Sequence, residues 1–251
     1  MAKLIFLGTS AAVPEDTQQY SSMLLSGENS SVLIDCGWNP IVRLQRLGCS
    51  PEIPTDVLIT HFHPDHAAGL PTFLLSIWLL GRKQPLTIHG LESTIERIKA
   101  LLKLFDWETL PDTFPIQYNP LPEKVLSPVL NNHEFHILSS PVQHMISNIG
   151  LRIEFPKHKK ILAYSSDTAP CQQVLCLARD ADILIHEATG EGAWHSSAAQ
   201  AGEIASQAGV KTLYLTHYSS KNKNLRLLVE QAQENFSGAV HLAEDWMEIS
   251  L

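Results

Sequence analysis

The stretch VLITHFHPDHAAG, residues 57–69, decides the prediction of the fold and of the site. Its opening apolar run is typical of a buried strand, and three histidines and one carboxylate follow within six residues. His61 and His63 are two positions apart, so an extended backbone points both imidazoles the same way, and Pro64 then ends the strand. Imidazole and carboxylate are the ligands that suit zinc, manganese and iron. The spacing indicates two neighbouring metals that share one loop; a loop that is rich in histidine by chance is the alternative.

The composition limits the class of protein. The chain has 251 residues, of which 44% are hydrophobic, and we expect a single domain over residues 1–251. The net charge of −8 excludes a global basic field that would attract nucleic acid, so any such contact needs a local basic patch. The four cysteines show no C-x-x-C spacing, which favours reduced thiols in a cytoplasmic protein. No apolar run approaches transmembrane length, so we expect no membrane partner.

The order of the apolar segments predicts an α/β fold. Early strands follow one another in hairpin-like succession, and later strands alternate with helices. Residues 67–80 are predicted to form a helix, and residues 111–128, which hold five prolines, an irregular connection. The stretch 74–80 is apolar enough for either a buried core helix or the face of a homodimer.

Three further candidate ligands each follow a predicted strand. They are His144 in SPVQH, Asp167 in YSSDT, and His217 after LYLT. As isolated residues they would be ordinary loop residues. Ligands at the ends of strands can share one edge of a sheet, so we expect these three to converge with the first motif.

The pattern His-x-His-x-Asp-His after a strand resembles the metallo-β-lactamase superfamily of metallohydrolases, and the resemblance covers nearly the whole chain. It implies an αββα sandwich of two mixed β-sheets with helices on the outer faces. It also implies two divalent metal ions, which we expect to be zinc, with manganese or iron as alternatives. The implied ligands are His61, His63 and His144 for one metal, and Asp65, His66 and His217 for the other, with Asp167 bridging.

Such a pair of metals would supply the chemistry. Two metals about 3.5–4 Å apart can lower the pKa of a shared water enough to form hydroxide near neutral pH. They can also hold the attacking and leaving oxygens of a phosphoester. Asp65 would orient that hydroxide or accept its proton.

Five stretches resemble ribonuclease Z more narrowly. They are FLGTSAAVP (6–14), YSSDT (164–168), HEAT (186–189), HSS (195–197) and LTHYSSK (215–221). The resemblance implies that His195 is the general acid with Glu187 as its support. It also implies that Ser219 and Lys221 bind phosphate. The alternatives are a position at a helix start for His195 and a solvated loop for Ser219 and Lys221.

The chain departs from ribonuclease Z in one feature that concerns the substrate. Ribonuclease Z carries a long arm that grips the tRNA body, inserted between the positions of His144 and Asp167, but only 23 positions separate them here. The one local basic cluster, KHKK at 157–160, has the pattern of a hairpin turn. Residues 36–39, CGWN, also differ from the family's Cys-Gly-Glu-Gly-Thr-Gln. The short chain resembles instead the armless phosphodiesterases of the same branch, such as the cyclic-phosphate hydrolase of phosphonate breakdown.

We therefore predict a binuclear metal-dependent phosphodiesterase that acts on a small or single-stranded phosphodiester, RNA included. The first alternative is a ribonuclease Z-type tRNA 3′-processing endonuclease without the arm. A sulfatase or thioester hydrolase is a further alternative, because the metals do not choose the ester. A non-catalytic metal-binding module is the alternative from a different class.

Overall fold

Two seven-stranded mixed β-sheets lie face to face in the computed structural model, which describes residues 2–219 and 224–251. The strands are β1 (Lys3–Gly8), β2 (Ser22–Ser26), β3 (Ser31–Ile34), β4 (Asp56–Leu58), β5 (Leu86–Leu91), β6 (Ile116–Leu121), β7 (Ser127–Asn131), β8 (His136–Val142), β9 (Asn148–Phe155), β10 (Lys160–Tyr164), β11 (Ile183–Glu187), β12 (Thr212–Thr216), β13 (Ala239–Leu242) and β14 (Glu248–Ser250). The strand order is β14-β1-β2-β3-β4-β5-β6 in the first sheet and β13-β12-β11-β10-β9-β8-β7 in the second.

Helices cover the outer faces of both sheets. They are α1 (Ile41–Arg46), α2 (Pro64–Ala67), α3 (Leu70–Leu79), α4 (Glu92–Leu104), α5 (Gln172–Ala178), α6 (Ala198–Gln207) and α7 (Arg226–Gln233), with a 3₁₀ turn at Trp107–Thr109. This arrangement confirms the predicted αββα sandwich. Within the described ranges, no helix combines the length and the apolar character needed to cross a membrane.

Each sheet is buried on both faces, because its side chains alternate between two cores. Leu4 and Phe6 of β1 pack into the core between the sheets, whereas Ile5 and Leu7 pack under α3 and α4. A strand with a side-chain period of two must be apolar throughout when both of its faces are covered. This explains why the strands are short continuous apolar runs in the sequence.

The predicted helix over 67–80 is interrupted, and its apolar surface is divided. Gly69 separates α2 from α3, and a Cβ at this position would lie 2.2 Å from the carbonyl carbon of Trp38. On α3, Leu74 is fully buried in the core, while Leu79 is 70% exposed. The stretch is therefore a core helix with an apolar outer edge, and the homodimer stays a prediction.

The prediction of an irregular connection over residues 111–128 is wrong. The segment contains β6 and the start of β7. Both are edge strands, one in each sheet, so Pro120 and Pro128 lie in strands that need ladder hydrogen bonds on one side only. Several prolines in a segment therefore do not exclude a strand at the edge of a sheet.

The strand directions bring the candidate ligands to one end of the sandwich. β10, β11 and β12 are parallel neighbours, and β8 runs with them because β9 lies antiparallel between β8 and β10. The loops that follow β8, β10, β11 and β12 thus leave the same edge of the second sheet. In the first sheet β3 and β4 are also parallel, and their following loops leave together.

Candidate metal centre

All seven candidate ligands lie among the described residues and form two groups that share one site. The ligating atoms of His61, His63 and His144 lie within 4.8 Å of one another. Those of Asp65, His66 and His217 form a second group of the same kind. The structure therefore brings together the two sets that the resemblance implies.

Two of the nitrogen–nitrogen distances in the first set are close to those of a tetrahedral metal site. His61 Nε2 lies 3.0 Å from His63 Nδ1, and His144 Nε2 lies 3.2 Å from the same atom. Zinc–nitrogen bonds of about 2.0–2.1 Å at tetrahedral angles would separate the nitrogens by about 3.3 Å. The three imidazoles can therefore hold one ion with small adjustments.

One carboxylate oxygen links the two sets. Asp167 Oδ2 lies 3.4 Å from His217 Nε2 and 3.5 Å from His66 Nε2, which belong to the second set. It also lies 3.8 Å from His61 Nε2 in the first set. Asp65 Oδ2 completes the second set at 3.7 Å from His66 Nε2 and 3.6 Å from His217 Nε2.

Hydrogen bonds to the far ring nitrogens set the tautomers of two of these histidines. The Nδ1–H of His144 donates to the carbonyl oxygen of Trp194 at 3.0 Å. The Nδ1–H of His66 donates to Asp35 Oδ2 at 2.9 Å. Since a carbonyl and a carboxylate can only accept, Nδ1 carries the proton in both rings, and Nε2 is left to face the site.

Two threonine hydroxyls set the tautomers of His217 and His61. The Thr189 hydroxyl donates to the carbonyl oxygen of His217, so it accepts from Nδ1–H of that ring at 2.8 Å. The Thr60 hydroxyl donates to the Asp35 carboxylate and therefore accepts from Nδ1–H of His61 at 3.0 Å. Four of the five candidate histidine ligands thus present Nε2, and His63 presents Nδ1.

Three buried polar atoms at the centre have no hydrogen-bond partner among the described residues. They are His66 Nε2, His217 Nε2 and Asp167 Oδ1. An unsatisfied buried polar atom costs about 1–3 kcal/mol, so three in one place need an explanation. A divalent cation accepts lone pairs from both nitrogen and oxygen, and this donor set fits two such ions.

The local electrostatics differ across the centre: Asp167 outweighs burial and raises the pKa of His66 and His217, whereas other ligands are held in the form that binds metal. Burial, reinforced by His66, holds the pKa of His61 well below its usual range. Burial likewise lowers the pKa of His144. Burial alone would raise the pKa of Asp167, but His217 and His66 hold it well below the usual range. The imidazoles of His61 and His144 are therefore neutral and Asp167 is ionised near neutral pH.

The backbone turns sharply where the strands deliver these side chains. Asp35 after β3, Ser166 after β10 and His217 after β12 have φ values of 61°, 53° and 50°. Left-handed conformations are uncommon for residues other than glycine and cluster at functional sites. His217 is itself a candidate ligand, Ser166 directly precedes the candidate ligand Asp167, and Asp35 accepts a hydrogen bond from the candidate ligand His66.

A close backbone approach fixes Asp65 and His66 against the loop after β3. The N–H of Cys36 donates to the His66 carbonyl at 2.7 Å, and the N–H of Gly69 donates to the Cys36 carbonyl at 2.9 Å. A Cβ at Gly37 would lie 1.8 Å from the carbonyl oxygen of Asp65. Only glycine can therefore occupy position 37 without displacing Asp65.

His195 lies beside the metal centre and is held by Glu187. Its Nδ1–H donates to Glu187 Oε1 at 2.8 Å, and this hydrogen bond raises the pKa of His195. Glu187 is fully buried and also accepts from the N–H of Thr168. The N-cap of α6 is Ser197, whose side chain accepts from the N–H of Gln200. The helix start therefore does not account for the position of His195.

The centre opens into a cavity of about 440 Å³. Its walls include His63, Asp65, Asp167, His195 and His217, together with Thr189, Pro64 and the stretch 11–13. Ser219 also lines it, as a phosphate-binding residue would. Lys221 lies outside the described residues.

Sequence reasoning missed the residues that orient the histidines. Asp35 follows β3 directly, as the candidate ligands follow their strands, so its position was an available signal. Thr60 and Thr189 lie within the quoted motifs, but the motifs indicated no role for them. Trp194 acts through its carbonyl, which every residue type has, so its identity gives no signal.

Comparison with known proteins supports the resemblance that the motifs predict. The model of the family described as Anti-Pycsar protein Apyc1 matches residues 2–241. The ribonuclease Z of Methanothermobacter thermautotrophicus is 28% identical over 306 residues, which cover 100% of this chain and 97% of that protein. Since this chain has 251 residues, the relative carries additional residues within the aligned region.

Two solved structures share the fold over nearly their whole length. The metallo-β-lactamase-fold protein YhfI from Bacillus subtilis has a TM-score of 0.84 and 23% identity, with 99% of this chain and 98% of that chain covered. The short form of human tRNase Z, ELAC1, has a TM-score of 0.80 and 26% identity, with the same coverage. The predicted metallo-β-lactamase fold and the ribonuclease Z-like resemblance are confirmed.

Proposed function

Because the chain belongs to the Anti-Pycsar protein Apyc1 family and is a metal-dependent hydrolase of the ribonuclease Z-like phosphodiesterase type, we propose that it cleaves a small phosphodiester at a centre of two divalent ions. The position of Asp167 carries this proposal. One of its oxygens lies 3.4–3.8 Å from ring nitrogens of both ligand sets. A carboxylate shared in this way supports two ions that act on one substrate.

The proposed ligand assignment follows the two sets. His61, His63 and His144 would hold one ion, and Asp65, His66 and His217 the other, with Asp167 between them. We propose zinc as the native metal, with manganese or iron as alternatives, since imidazole and carboxylate suit all three. When bound, such a pair acts as a Lewis acid on the phosphoryl oxygens and lowers the pKa of water.

The protein side chains would orient the reactants and move two protons. Asp65, which lines the cavity, would orient the attacking water or accept its proton. His195 Nε2 would donate a proton to the leaving ester oxygen as its bond to phosphorus breaks. The products are an alcohol and a phosphomonoester. Glu187 would act as a positioning residue, because its buried carboxylate fixes the His195 ring through Nδ1.

Three features favour a small substrate. The cavity of about 440 Å³ falls within the range of roughly 300–1,000 Å³ that is typical of small-ligand sites. The net charge of −8 disfavours a large polyanion. The short connection from His144 to Asp167 has no room for an arm. We assign phosphate binding to Ser219, which lines the cavity, and to Lys221.

A tRNA 3′-processing endonuclease is the second candidate. The observation in its favour is the full-length similarity to proteins named ribonuclease Z. A single-stranded RNA end would present one scissile phosphodiester to the same cavity. The two candidate functions differ in one requirement: a tRNA endonuclease must also bind the tRNA body outside the cavity, whereas a small-substrate phosphodiesterase need not.

The test is elemental analysis followed by an ester panel. We expect two metal ions per chain and hydrolysis of bis-p-nitrophenyl phosphate, with much slower hydrolysis of a phosphomonoester, a sulfate ester and a thioester. Pre-tRNA should bind weakly with a shallow salt dependence. Two bound metals without hydrolysis of any ester would overturn the proposed activity. Efficient 3′ cleavage of pre-tRNA with a steep salt slope would establish the second candidate.

We further propose a cytoplasmic location. All four cysteines are free thiols, which fits a reducing compartment. We retain the homodimer as a proposal on the basis of the exposed apolar end of α3, where Leu79 and the C-cap residue Leu80 are 70% and 45% exposed. Sedimentation of the full chain tests it.

A further inference from the structure

Two loops of the first sheet lie at the candidate metal centre. The loop between β1 and β2, residues 9–21, contributes residues 11–13 to the cavity wall. The loop between β3 and α1, residues 35–40, packs against the backbone of Asp65 and His66. Neither loop belongs to a helix or a strand, so its position depends on contacts from other parts of the fold.

Asp245, in the connection between β13 and β14, holds the first loop near both of its ends. Its Oδ1 accepts from the Thr9 hydroxyl at 2.9 Å, and its Oδ2 accepts from the N–H of Gln19 at 3.0 Å. The side-chain amide of Gln18 also donates to the Thr9 hydroxyl, at 3.1 Å. One carboxylate, whose side chain is 3% exposed, therefore closes the loop that carries the cavity wall.

The same carboxylate pairs with Arg43 of α1, and this pair reaches the second loop. Arg43 Nη1 donates to Asp245 Oδ2 and to the Leu7 carbonyl. Its guanidinium carbon lies 5.1 Å from the ring centre of Trp38, which belongs to the second loop. It lies 4.8 Å from the ring centre of Trp246, the neighbour of Asp245. Charge and cation–π contacts thus join the two loops behind the site.

Both loops are coupled to candidate ligands through the backbone. In the first loop, the N–H of Ala11 donates to the carbonyl of Tyr218, the residue after His217, at 3.3 Å. In the second loop, a Cβ at Gly37 would lie 1.8 Å from the carbonyl oxygen of Asp65, so the two chains are in direct contact. A movement of either loop would therefore move the backbone beside a candidate ligand.

We propose that Asp245 is a positioning residue, which acts with Arg43 to fix the cavity wall and the backbone behind Asp65 in their working positions. Asp245 does not line the cavity, and in the described part of the chain it belongs to none of the groups that could hold a metal. Its effect must therefore pass through the loops that it holds. This inference rests on the proposed function and deepens it.

Asp182 offers a matched control at the other end of the second sheet, directly before β11. It also accepts from a backbone N–H, that of Ile161 at 2.9 Å, and it also pairs with a cation, Lys211, at 2.8 Å. Asparagine has the shape of aspartate without its charge. Asp245→Asn and Asp182→Asn each weaken hydrogen bonds to a charged acceptor, so both should lower the free energy of unfolding.

Amide hydrogen exchange of the full chain measures the loop without any need for activity. In Asp245→Asn, the N–H groups around Gln19 should exchange about tenfold faster or more, the factor that corresponds to a lost hydrogen bond to a charged group. Asp182→Asn should leave exchange in residues 9–21 unchanged. Thr9→Val removes only the hydroxyl contact and should accelerate exchange there by a smaller factor.

Hydrolysis of bis-p-nitrophenyl phosphate by the metal-loaded protein measures the consequence for the reaction. At a temperature where all variants are folded, Asp245→Asn should lower kcat roughly 10–10²-fold, up to the loss expected when a reacting group is displaced by about 1 Å. KM should change less, because Asp245 makes no contact in the cavity. Thr9→Val should show a smaller loss of kcat, and Asp182→Asn should keep the kcat and KM of the unmodified protein.

Equal effects of Asp245→Asn and Asp182→Asn, either on exchange in residues 9–21 or on kcat, would overturn the positioning role. So would faster exchange in the loop with an unchanged kcat, because the position of the loop would then not matter to the reaction. Failure of the unmodified protein to hydrolyse the ester would instead overturn the proposed function. In that case the exchange measurement still decides whether Asp245 holds the loop.

Discussion

Two acidic residues at opposite ends of the second sheet, Glu134 and Asp167, have lowered pKa values, and they differ in how their oxygens are satisfied. Glu134, just before β8, accepts from the backbone N–H groups of Glu28, Asn29 and Ser30 at 2.6–3.2 Å. Asp167, just after β10 at the opposite end, has one buried oxygen without a hydrogen-bond partner in the described chain. Burial opposes ionisation at both, yet neighbours lower both pKa values.

The difference separates a structural carboxylate, Glu134, from one that we propose to be functional, Asp167. Neutral N–H donors satisfy Glu134 completely in the folded chain, so it closes the turn between β2 and β3. The neighbours of Asp167 are histidines whose Nε2 atoms face it, and we propose that bound cations complete this arrangement. A buried carboxylate with unused oxygen among such nitrogens therefore indicates function, and one surrounded by N–H groups indicates stability.

The largest effect is expected when each of the two carboxylates is replaced in turn. We expect Asp167→Ala to reduce metal content from two ions to at most one. Hydrolysis should fall about 10⁴-fold, since the lost stabilisation of the transition state is several kcal/mol. Glu134→Ala should keep both ions and full activity at a temperature where it is folded. Inductively coupled plasma analysis and steady-state rates measure both. Two ions retained by Asp167→Ala would remove the basis for the bridge.

The second prediction concerns His195, whose neighbour Glu187 is also a fully buried carboxylate at this end. If His195 protonates the leaving oxygen, His195→Ala should slow an ester with an alkoxide leaving group about 10²–10⁴-fold. A nitrophenolate ester needs little protonation and should slow far less. Glu187→Gln should give a smaller loss with the same dependence on the leaving group, because it acts only through the ring. Equal losses on both esters would reject the role of His195.

The third prediction tests the close contact between the backbone at Gly37 and the carbonyl of Asp65, which positions Asp65. Gly37→Ala should lower activity by roughly 10²-fold, the size expected when a reacting group is displaced by about 1 Å. The cause is the clash between the new Cβ and the Asp65 carbonyl oxygen. Gly192→Ala is the control, since a Cβ there meets nothing within 4 Å. Normal rates and metal content in Gly37→Ala would show that the loop relaxes at no cost.

Sequence reasoning predicted residues whose side-chain type determines the role that we propose for them. His144, Asp167 and His217 are ligand types placed after strands, so both their chemistry and their position could be read. Asp35 had the same signal and was overlooked. Trp194 contributes a carbonyl, and Glu134 acts on a turn about a hundred residues away in the chain. Neither contact has a local sequence pattern, because the fold alone creates it.

The fold, like the candidate site, was predictable only where the residue types themselves indicate the structure. Strands buried on both faces are continuous apolar runs, so β4, β10 and β12 stood out. β6 did not, because an edge strand tolerates proline and is half-covered. Whether such a segment forms a strand depends on the neighbouring strand with which it pairs, and a single sequence does not identify that neighbour.

The last prediction concerns the stability that Glu134 provides. Burial alone would raise the pKa of this carboxyl, but hydrogen bonds from the N–H groups of Glu28, Asn29 and Ser30 lower it below its usual value. A group with a lowered folded-state pKa stabilises the protein above its ordinary pKa, and that stability disappears as pH falls through the folded value. Glu134→Gln should therefore be less stable than the unmodified protein by about 1–3 kcal/mol at pH 7.

The gap in unfolding free energy should close when the same comparison is made in strongly acidic solution, where Glu134 is protonated and resembles glutamine. Urea unfolding of both metal-free proteins at pH 7 and at successively lower pH values measures this, and comparing the two proteins cancels the other titrating groups, including the histidines of the candidate metal centre. Glu28→Gln is a suitable control, since it changes a charge on the same turn but leaves the backbone N–H of residue 28 in place. A gap that stays constant or widens on acidification would show that Glu134 stabilises the turn through packing rather than through its charge.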